Sequence, residues 1–568
     1  MLDSTSSRRP LVIALAAALA TGCLLFRDLS PIADAPPDAA DGGGGDVATP
    51  RRVCEPGTRR ACYDGDPTLR AIGVCAEGTQ ACDDAGAGFL ACEGSVGPRA
   101  ESCATSAIDE NCDGEPSCTG ALRLAVALGD GQSQRVLATA TDGARVFVAG
   151  ESFGKVDLGA RLPAATPASP PTTLLPQSGD RSLADGFVVA LDGGGHALWA
   201  SSLPDGAWTS ISYAKGTLVV GGKLNASSQI ADCPPLVHAG LGDAVIARLD
   251  PATGKCLAAR AFGDPKVNEI TAVAVDPVSG DIFAAGHVGG SLDLGDGLPV
   301  VTQGAVGRDG FVIQFDPTLR ATAIDHLQGA TTTVRALAVG ANGTPFVGGS
   351  WTGTLSINGR TLYTTSGTNG FLAQLRDVIG VTWFTGNRLA SVDAVRLDRS
   401  GRPVVAGTFT GALTMPGFAL DPVTSAGSSD VFVARVLPGA HVATARFRVG
   451  GPDAETLGGL ELDGFDQIVI AGTHSGKADL GGGALGGPGL YLARYDAEGA
   501  HLWSRGVPIA ASADGLRGVG GVVTDALGHV WWGGWFAGPG ADFEGRGATL
   551  LTAATPDTID GFVVKSAP

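Results

Sequence analysis

Short runs in which apolar residues occupy both alternating faces recur along most of the chain. One such run, Asp309-Gly-Phe-Val-Ile-Gln-Phe-Asp316, has a polar residue at each end and mainly apolar residues between them. Drifted copies of this octet start at Asp185, Asp243, Asn369, Asp430, Gly489 and Asp560, at intervals of 58 to 71 residues. Apolar side chains on both faces predict a β-strand that other sheets cover on both sides. Seven copies at a nearly constant period indicate a repeat architecture.

Three more strand-like runs accompany each octet. In the third unit they are residues 270–275 (strand a), 281–286 (strand b) and 321–324 (strand d), and the octet itself is strand c. Turns rich in Asp and Gly join a to b and c to d, which is typical of tight hairpins. Four antiparallel strands repeated seven times predict an all-β fold, a seven-bladed β-propeller over residues 121–568.

Strand d of the last unit is missing from the end of the chain. A d-like run at 122–128 precedes the first strand a, whereas the chain stops soon after the last octet. We therefore expect the N-terminal run to pair with residues 560–565 and to complete the last blade, which removes an open sheet edge.

Several repeat motifs resemble a known family. Strand b ends in Val-Ala-Gly150 and Val405-Ala-Gly407, the octet reads Asp-Gly-Phe-Val, and Asp293-Leu-Gly295 follows strand b. These motifs resemble the bacterial SBBP-type β-propeller repeats. The resemblance implies the propeller fold and no particular activity, since one fold serves many functions.

The first 53 residues read as an export signal and a tether. Arg8 and Arg9 precede a short apolar run, which ends in Ala20-Thr-Gly-Cys23. This order is typical of a secretory signal and resembles a bacterial lipobox, which implies a signal peptide over 1–23 and a lipid on Cys23. Twin-arginine export and plain secretion are the alternatives. Residues 24–53, rich in Ala, Asp, Pro and Gly, predict a disordered tether, and the expected location is the cell envelope, at the outer membrane or surface of a Gram-negative bacterium.

A cysteine-rich module follows at 54–120. Its eight cysteines predict a disulfide framework of four bridges with open connectivity, and they are Cys54, Cys62, Cys75, Cys82, Cys92, Cys103, Cys112 and Cys118. The module resembles one that precedes surface domains of bacterial lipoproteins. We also expect Cys233 to bond Cys256 in unit two, which requires the b–c connection to run down the outer edge of the blade.

One acidic run in this module raises the possibility of calcium. Asp109, Asn111 and Asp113 place oxygen ligands at alternate positions before Gly114, as in the first half of a calcium loop. Gly120 stands where the twelfth, acidic ligand is expected. A solvated acidic turn is the alternative, and no other cofactor is predicted.

Charge and motifs narrow the function classes. The net charge is −18 and no basic cluster is present, which argues against nucleic acid as a partner. The chain lacks a Gly-x-Ser-x-Gly elbow, a His-Glu-x-x-His pair and a phosphate loop. We therefore predict a protein that is not an enzyme.

The candidate ligand face is the one that carries the long b–c and d–a connections. The residue that follows strand b differs from unit to unit, and variable positions on a repeated scaffold are typical of binding. With neighbouring aromatic residues, the candidates are Glu151, Lys223, His287, Trp351, Trp535 and Phe536. Trp535 and Phe536 alternatively pack against the cysteine-rich module.

The sequence therefore favours a lipid-anchored binding or scaffold protein that recognises protein or glycan through this face. The alternative is an envelope carbohydrate-active enzyme. Two carboxylates converging on the face would favour the enzyme.

Overall fold

The computed structural model describes residues 52–103, 108–115, 118–130, 132–157, 173–174, 182–304, 307–376, 380–386, 388–416, 421–439, 441–509, 517–538, 540–543, 550–551 and 558–568. The predicted signal peptide, Cys23 and nearly all of the tether lie outside these residues. Within them, no helix has the length and apolar character needed to cross a membrane.

The cysteine-rich region has little regular structure. It contains β1 (Arg59–Cys62), β2 (Gly78–Ala81) and a short 3-10 helix (Pro67–Leu69). Four disulfides join its cysteines, in the pairs Cys54–Cys82, Cys62–Cys92, Cys75–Cys112 and Cys103–Cys118. The expected framework of four bridges is present, and several disulfides indicate an extracytoplasmic protein.

The rest of the described chain is β-structure. It begins with β3 (Leu122–Ala127). Unit one contains β4 (Gln134–Thr141), β5 (Val146–Ser152), β6 (Val156–Asp157), β7 (Thr173–Leu174), β8 (Asp185–Leu191) and β9 (Ala197–Leu203). Unit two contains β10 (Gly206–Ala214), β11 (Thr217–Leu224), β12 (Asp243–Leu249) and β13 (Cys256–Phe262). Unit three contains β14 (Asn268–Val275), β15 (Ile282–Val288), β16 (Ser291–Leu292), β17 (Val301–Thr302), β18 (Asp309–Phe315) and β19 (Ala321–Gln328).

The later units continue the series. Unit four contains β20 (Thr331–Val339), β21 (Pro345–Ile357), β22 (Arg360–Gln374) and β23 (Gly380–Gly386). Unit five contains β24 (Leu389–Leu397), β25 (Pro403–Thr414), β26 (Val423–Leu437) and β27 (Val442–Val449). Unit six contains β28 (Glu455–Leu462), β29 (Ile468–His474), β30 (Ala478–Asp479), β31 (Ala484–Leu485), β32 (Gly489–Tyr495) and β33 (His501–Pro508). Unit seven contains β34 (Arg517–Thr524), β35 (Val530–Ala537), β36 (Ala541–Asp542), β37 (Leu550–Leu551) and β38 (Ile559–Ser566).

The four main strands of a unit pair antiparallel in the order a, b, c, d. Units one, two and six each form a separate four-stranded sheet, and units three to five are joined into one twelve-stranded sheet. The octet strand is buried on both faces, as predicted: every residue of β8 is buried. The architecture is all-β and propeller-like.

The N-terminal strand completes the sheet of unit seven. β3 pairs antiparallel with β38, so that Leu122 lies opposite Ser566 and Ala127 opposite Phe562. This pairing is the predicted one. The innermost strands of consecutive units contact one another, and β34 of unit seven contacts β4 of unit one.

In units two and four the b–c connection reaches the outer strand of a sheet. In unit four the b–c hairpin reaches the outer strand of unit three, where Ile357 pairs with Leu327. In unit two the disulfide Cys233–Cys256 is present as expected, with the Cα atoms 5.6 Å apart. In these two units the b–c segment therefore reaches the outer strands, and a ligand at the face of the b–c and d–a connections stays a prediction.

Long polar side chains join different units at the opposite face, which carries the a–b and c–d turns. The sixth octet position is polar and long in six copies, namely Arg248, Gln314, Gln374, Arg435, Arg494 and Lys565. Arg435 donates to the carbonyl of Ala497 in the next unit at 3.0 Å, and Lys565 of unit seven donates to Gly193 of unit one at 2.9 Å. We call this surface the turn face.

Candidate functional site

A cavity of about 510 Å³ opens at the end of the molecule where strand a begins and strand b ends. We call it the mouth cavity. Its lining is rich in side-chain hydroxyls, contributed by units two to six: Thr209, Thr271, Thr333, Ser350, Ser391, Thr408 and Thr456. The lining also includes His287, Arg335 and Asp393.

A β-bulge in strand a of every unit builds the wall below the mouth. The residue that interrupts the register is Leu137, Thr209, Thr271, Arg335, Asp393, Gly458 or Gly520. A bulge re-aims the extra side chain, and these residues line a further cavity of about 230 Å³. The series was not recognised in the sequence, where it is visible only as a variable residue inside an otherwise apolar strand a.

The bulge residues also join neighbouring units. Thr209 donates to the Ile270 carbonyl at 2.6 Å, and Thr271 donates to the Val334 carbonyl at 2.9 Å. In units six and seven glycine takes this place, because a Cβ on Gly520 would stand 2.2 Å from the carbonyl oxygen of Val136. The described residues that line the mouth cavity come from units two to six.

Asp393 is the one carboxylate among the described residues that line the mouth cavity. Its Oδ1 accepts from Ser391 at 2.6 Å, and its Oδ2 accepts from the backbone and hydroxyl of Thr408, both at 3.0 Å. Arg335 Nε lies 3.4 Å from Oδ1, with about half of its side chain exposed. The arrangement fixes a carboxylate and presents a guanidinium edge to the cavity.

Of the residues predicted for the ligand face, His287 lines this cavity. Burial, reinforced by the positive charges of Arg308 and Arg335, lowers the pKa of His287 to about 3. The imidazole is therefore neutral at pH 7. Its counterparts at the end of strand b in units four and five, Ser350 and Thr408, line the cavity too.

Glu151 and Lys223 occupy the positions in units one and two that correspond to His287 in unit three, on the rim of the same end of the molecule. Glu151 pairs with Arg135 at 3.2 Å. Lys223 lies opposite Ala207 in the pairing of β10 with β11. Its Cε also lies close to Gly242, because a Cβ added to that glycine would be 2.1 Å from it. Neither residue lines the mouth cavity.

Trp351 and Phe536 are wrong as ligand-face residues. Trp351 is 1% exposed and packs edge-on against Phe371, whereas Phe536 is fully buried. Each follows the variable position at the end of strand b, and successive side chains of a strand point to opposite faces. The residue before it faces the mouth, so these rings must face the core.

Trp535 is half-buried on the rim between units seven and one. The guanidinium of Arg135 lies 5.9 Å from the centre of its ring. Gly518 lies directly against the ring, since a Cβ there would be 2.2 Å from Trp535 Cζ2. The alternative that Trp535 and Phe536 pack against the cysteine-rich module is wrong, because that module contacts the turn face.

The module reaches the turn face through units six and seven. Glu101 N donates to the Leu527 carbonyl, and Arg505 Nε donates to the Thr119 carbonyl at 2.9 Å. Leu527 belongs to an a–b turn. The module and the mouth cavity therefore lie at opposite ends of the molecule.

The oxygens proposed for calcium are used within the module. The Asp109 carboxylate accepts the backbone N–H groups of Asp113 and Gly114, at 3.2 and 2.9 Å. Asn111 Oδ1 accepts from Asp113 N at 3.1 Å, and Asp113 Oδ2 pairs with Arg123 at 3.0 Å. Asp109 and Asn111 therefore cap the turn at Asp113, and Asp113 forms an ion pair, while calcium at this turn stays a prediction.

Comparisons with known proteins give a distant similarity of structure. No family model matches the chain, and no curated protein matches it. Quinohemoprotein alcohol dehydrogenase from Comamonas testosteroni is 12% identical over 79% of this chain and 76% of its own, with a TM-score of 0.34. A europium-containing methanol dehydrogenase is 11% identical over 79% and 93%, with a TM-score of 0.37. A protein of unknown function from Dyadobacter fermentans is 11% identical over 78% and 98%, with a TM-score of 0.34.

Proposed function

We propose that the protein is an extracytoplasmic, lipid-anchored binding protein, not an enzyme, whose seven repeats form a closed seven-bladed propeller of the SBBP type. The mouth cavity binds a neutral glycan. The observation that carries this proposal is the hydroxyl-rich lining of the cavity around a fixed Asp393–Arg335 pair.

The chemistry of the lining fits a sugar. Vicinal hydroxyls both donate and accept hydrogen bonds, and the cavity offers a planar guanidinium, a carboxylate, hydroxyls and a neutral imidazole. The charge of Arg335 is compensated by Asp393, so the site does not require an anionic ligand. The test below also distinguishes this proposal from two alternatives, a protein that binds another protein and a carbohydrate-active enzyme.

We expect replacement of Arg335 by alanine to weaken glycan binding about tenfold or more, because a charge-assisted hydrogen bond is worth about 1.5–3 kcal/mol. The measurement is a glycan array with the purified full chain, followed by titration calorimetry with maltohexaose, cellohexaose or chitohexaose, whichever binds.

The matched control is Arg399→Ala. Arg399 is an exposed arginine on the turn face that also pairs with an aspartate, Asp466. Equal effects of the two substitutions would contradict the proposed site. Binding only to peptide or protein would favour the protein partner, and hydrolysis of the sugar would favour the enzyme.

The anchor is consistent with this orientation. The chain enters the β-structure at the turn face, where Ala567 N donates to the Ala121 carbonyl at 2.7 Å. A lipid on Cys23 would therefore connect to the turn face and leave the mouth cavity pointing away from the membrane.

We expect Cys23→Ala to move the protein from the membrane fraction to the soluble fraction, since the thiol is the only acceptor of a lipid in the lipobox-like segment. Cell fractionation measures this, with Ser30→Ala in the tether as the control. Membrane retention of the Cys23→Ala protein would rule out the anchor.

A further inference from the structure

Neighbouring units meet at a repeated junction between the start of one strand c and the start of the next strand a. Asn268 N donates to the Gly242 carbonyl at 2.8 Å, and Thr332 N donates to the Arg308 carbonyl at 2.7 Å. Ser429 Oγ donates to the Glu455 carbonyl at 3.0 Å. At each of these junctions, the residue that precedes the octet forms a hydrogen bond with the first or second residue of strand a in the next unit.

Two of these junctions combine a carboxylate with a neutral polar side chain. The octet contributes a buried aspartate, Asp243 or Asp309, and the following strand a contributes Asn268 or Thr332. Both partners are uncharged and carry a hydrogen-bond donor, which in Asn268 is directed to Asp264 Oδ1 at 3.0 Å. At the junction of units five and six, the aspartate is Asp430 and the partner is Glu455, which carries a donor only when it is protonated.

Both carboxyl groups at this junction are fully buried. They face one another across Gly450: a Cβ there would be 2.6 Å from Glu455 Oε2 and 2.7 Å from Asp430 Oδ1. Asp430 Oδ2 accepts from Arg448 at 2.5 Å and Glu455 Oε2 accepts from Gly451 N at 3.0 Å. The other two oxygens, Asp430 Oδ1 and Glu455 Oε1, have no partner outside the pair.

We propose that Glu455 is a neutral, protonated acid in the folded protein and donates its proton to Asp430, so that the junction between units five and six is sensitive to pH. A proton on Glu455 supplies the donor that Asp430 Oδ1 and Glu455 Oε1 both lack. Two ionised carboxylates in the same place repel one another in a buried site.

The charged and titratable groups around Glu455 come from every element packed against it. They are Asp430 on β26, Arg448 on β27, Asp453 in the preceding loop, His474 on β29, Tyr491 on β32 and Arg517 on β34. Burial raises the pKa of Glu455 to about 7, and the Asp430 and Asp453 carboxylates act in the same direction. Burial lowers the pKa of His474, which therefore brings no positive charge near neutral pH.

The sign of the pH dependence follows from this direction. The unfolded chain releases the Glu455 proton near pH 4.5, whereas the folded protein holds it to about pH 7. The stabilisation that the Glu455 proton contributes is therefore complete below about pH 4.5 and is lost progressively as the pH rises to 7. Above pH 7 it no longer changes with pH. The same strand start carries Thr456 and Leu457 of the mouth cavity.

The test is equilibrium urea unfolding of the full chain between pH 4.5 and 8. We expect the folding equilibrium constant of the wild type to fall roughly a hundredfold more over this range than that of Glu455→Gln, which supplies a permanent donor. Asn268→Asp, which creates an acid pair at another junction, should gain a similar fall, and the exposed Glu498→Gln should follow the wild type.

Parallel pH profiles for the wild type and Glu455→Gln would overturn the proposal. If Glu455→Gln did not fold, the Asn268→Asp profile would decide, because an unchanged profile there would show that an acid pair in this position does not hold a proton. The outcome does not depend on which ligand the mouth cavity takes.

Discussion

Replacing Val126 by aspartate is expected to lower the free energy of unfolding by about 4 kcal/mol or more. Val126 is 2% exposed in the strand that completes the sheet of unit seven, and it packs in one cluster with Trp531 and Val563. Loss of a buried valine costs about 1.5–3 kcal/mol, and an unpaired buried carboxylate costs several more. Urea unfolding of the full chain measures the change.

The matched control for this substitution is Leu198→Asp. Leu198 belongs to the equivalent outer strand of unit one, where its side chain is 40% exposed. We expect it to cost less than about 1 kcal/mol, as is usual at the surface. Equal costs at the two positions would show that β3 does not close the structure.

Replacing Arg494 by alanine is expected to cost about 3–5 kcal/mol, because it leaves a buried carboxylate without its partner. Arg494 is fully buried and forms an ion pair with Asp463, which is also buried. Its Nε donates to Gln467 at 2.9 Å, and its guanidinium also contacts the Gly528 carbonyl of unit seven. Thermal and urea unfolding of the full chain measure the loss.

The double substitution Arg494→Gln with Asp463→Asn is the control. A glutamine occupies the sixth octet position naturally at Gln314 and Gln374. The neutral pair should therefore restore most of the stability lost in Arg494→Ala. A cost below about 1 kcal/mol for Arg494→Ala would show that this side chain does not hold units six and seven together.

The strands and their pairing could be predicted from the sequence because burial on both faces of a strand requires apolar residues at both alternating positions. The octet gave strand c of each unit, and the unmatched run at 122–128 gave the strand that pairs with β38. The Cys233–Cys256 bond was predictable for a different reason, since it joins the two cysteines of the repeat region and closes a short loop.

The sixth octet position was missed because unit one has Ala190 there, whereas the other units have a long polar residue. A polar side chain inside an apolar run is interpretable only when its acceptor is known. For Arg435 and Lys565 that acceptor is a turn carbonyl of another unit, which lies far away in the sequence.

The candidate site was predictable only in part. Variation at the end of strand b identified His287, whereas the alternation of side chains along the strand buries Trp351 and Phe536. The bulge residues Arg335 and Asp393 were not predictable, because a bulge depends on register with the neighbouring strand. The sequence shows an inserted residue only once that register is known.

Hydrogen–deuterium exchange of the full chain, with and without a saturating concentration of the neutral oligosaccharide that binds best, tests the central claim most directly. We predict slower exchange at the mouth ends of strand a, in residues 207–209, 269–271, 332–335 and 390–393, and no change at the turn face. Protection confined to the turn face or to the outer b–c segments would contradict a glycan site in the mouth cavity.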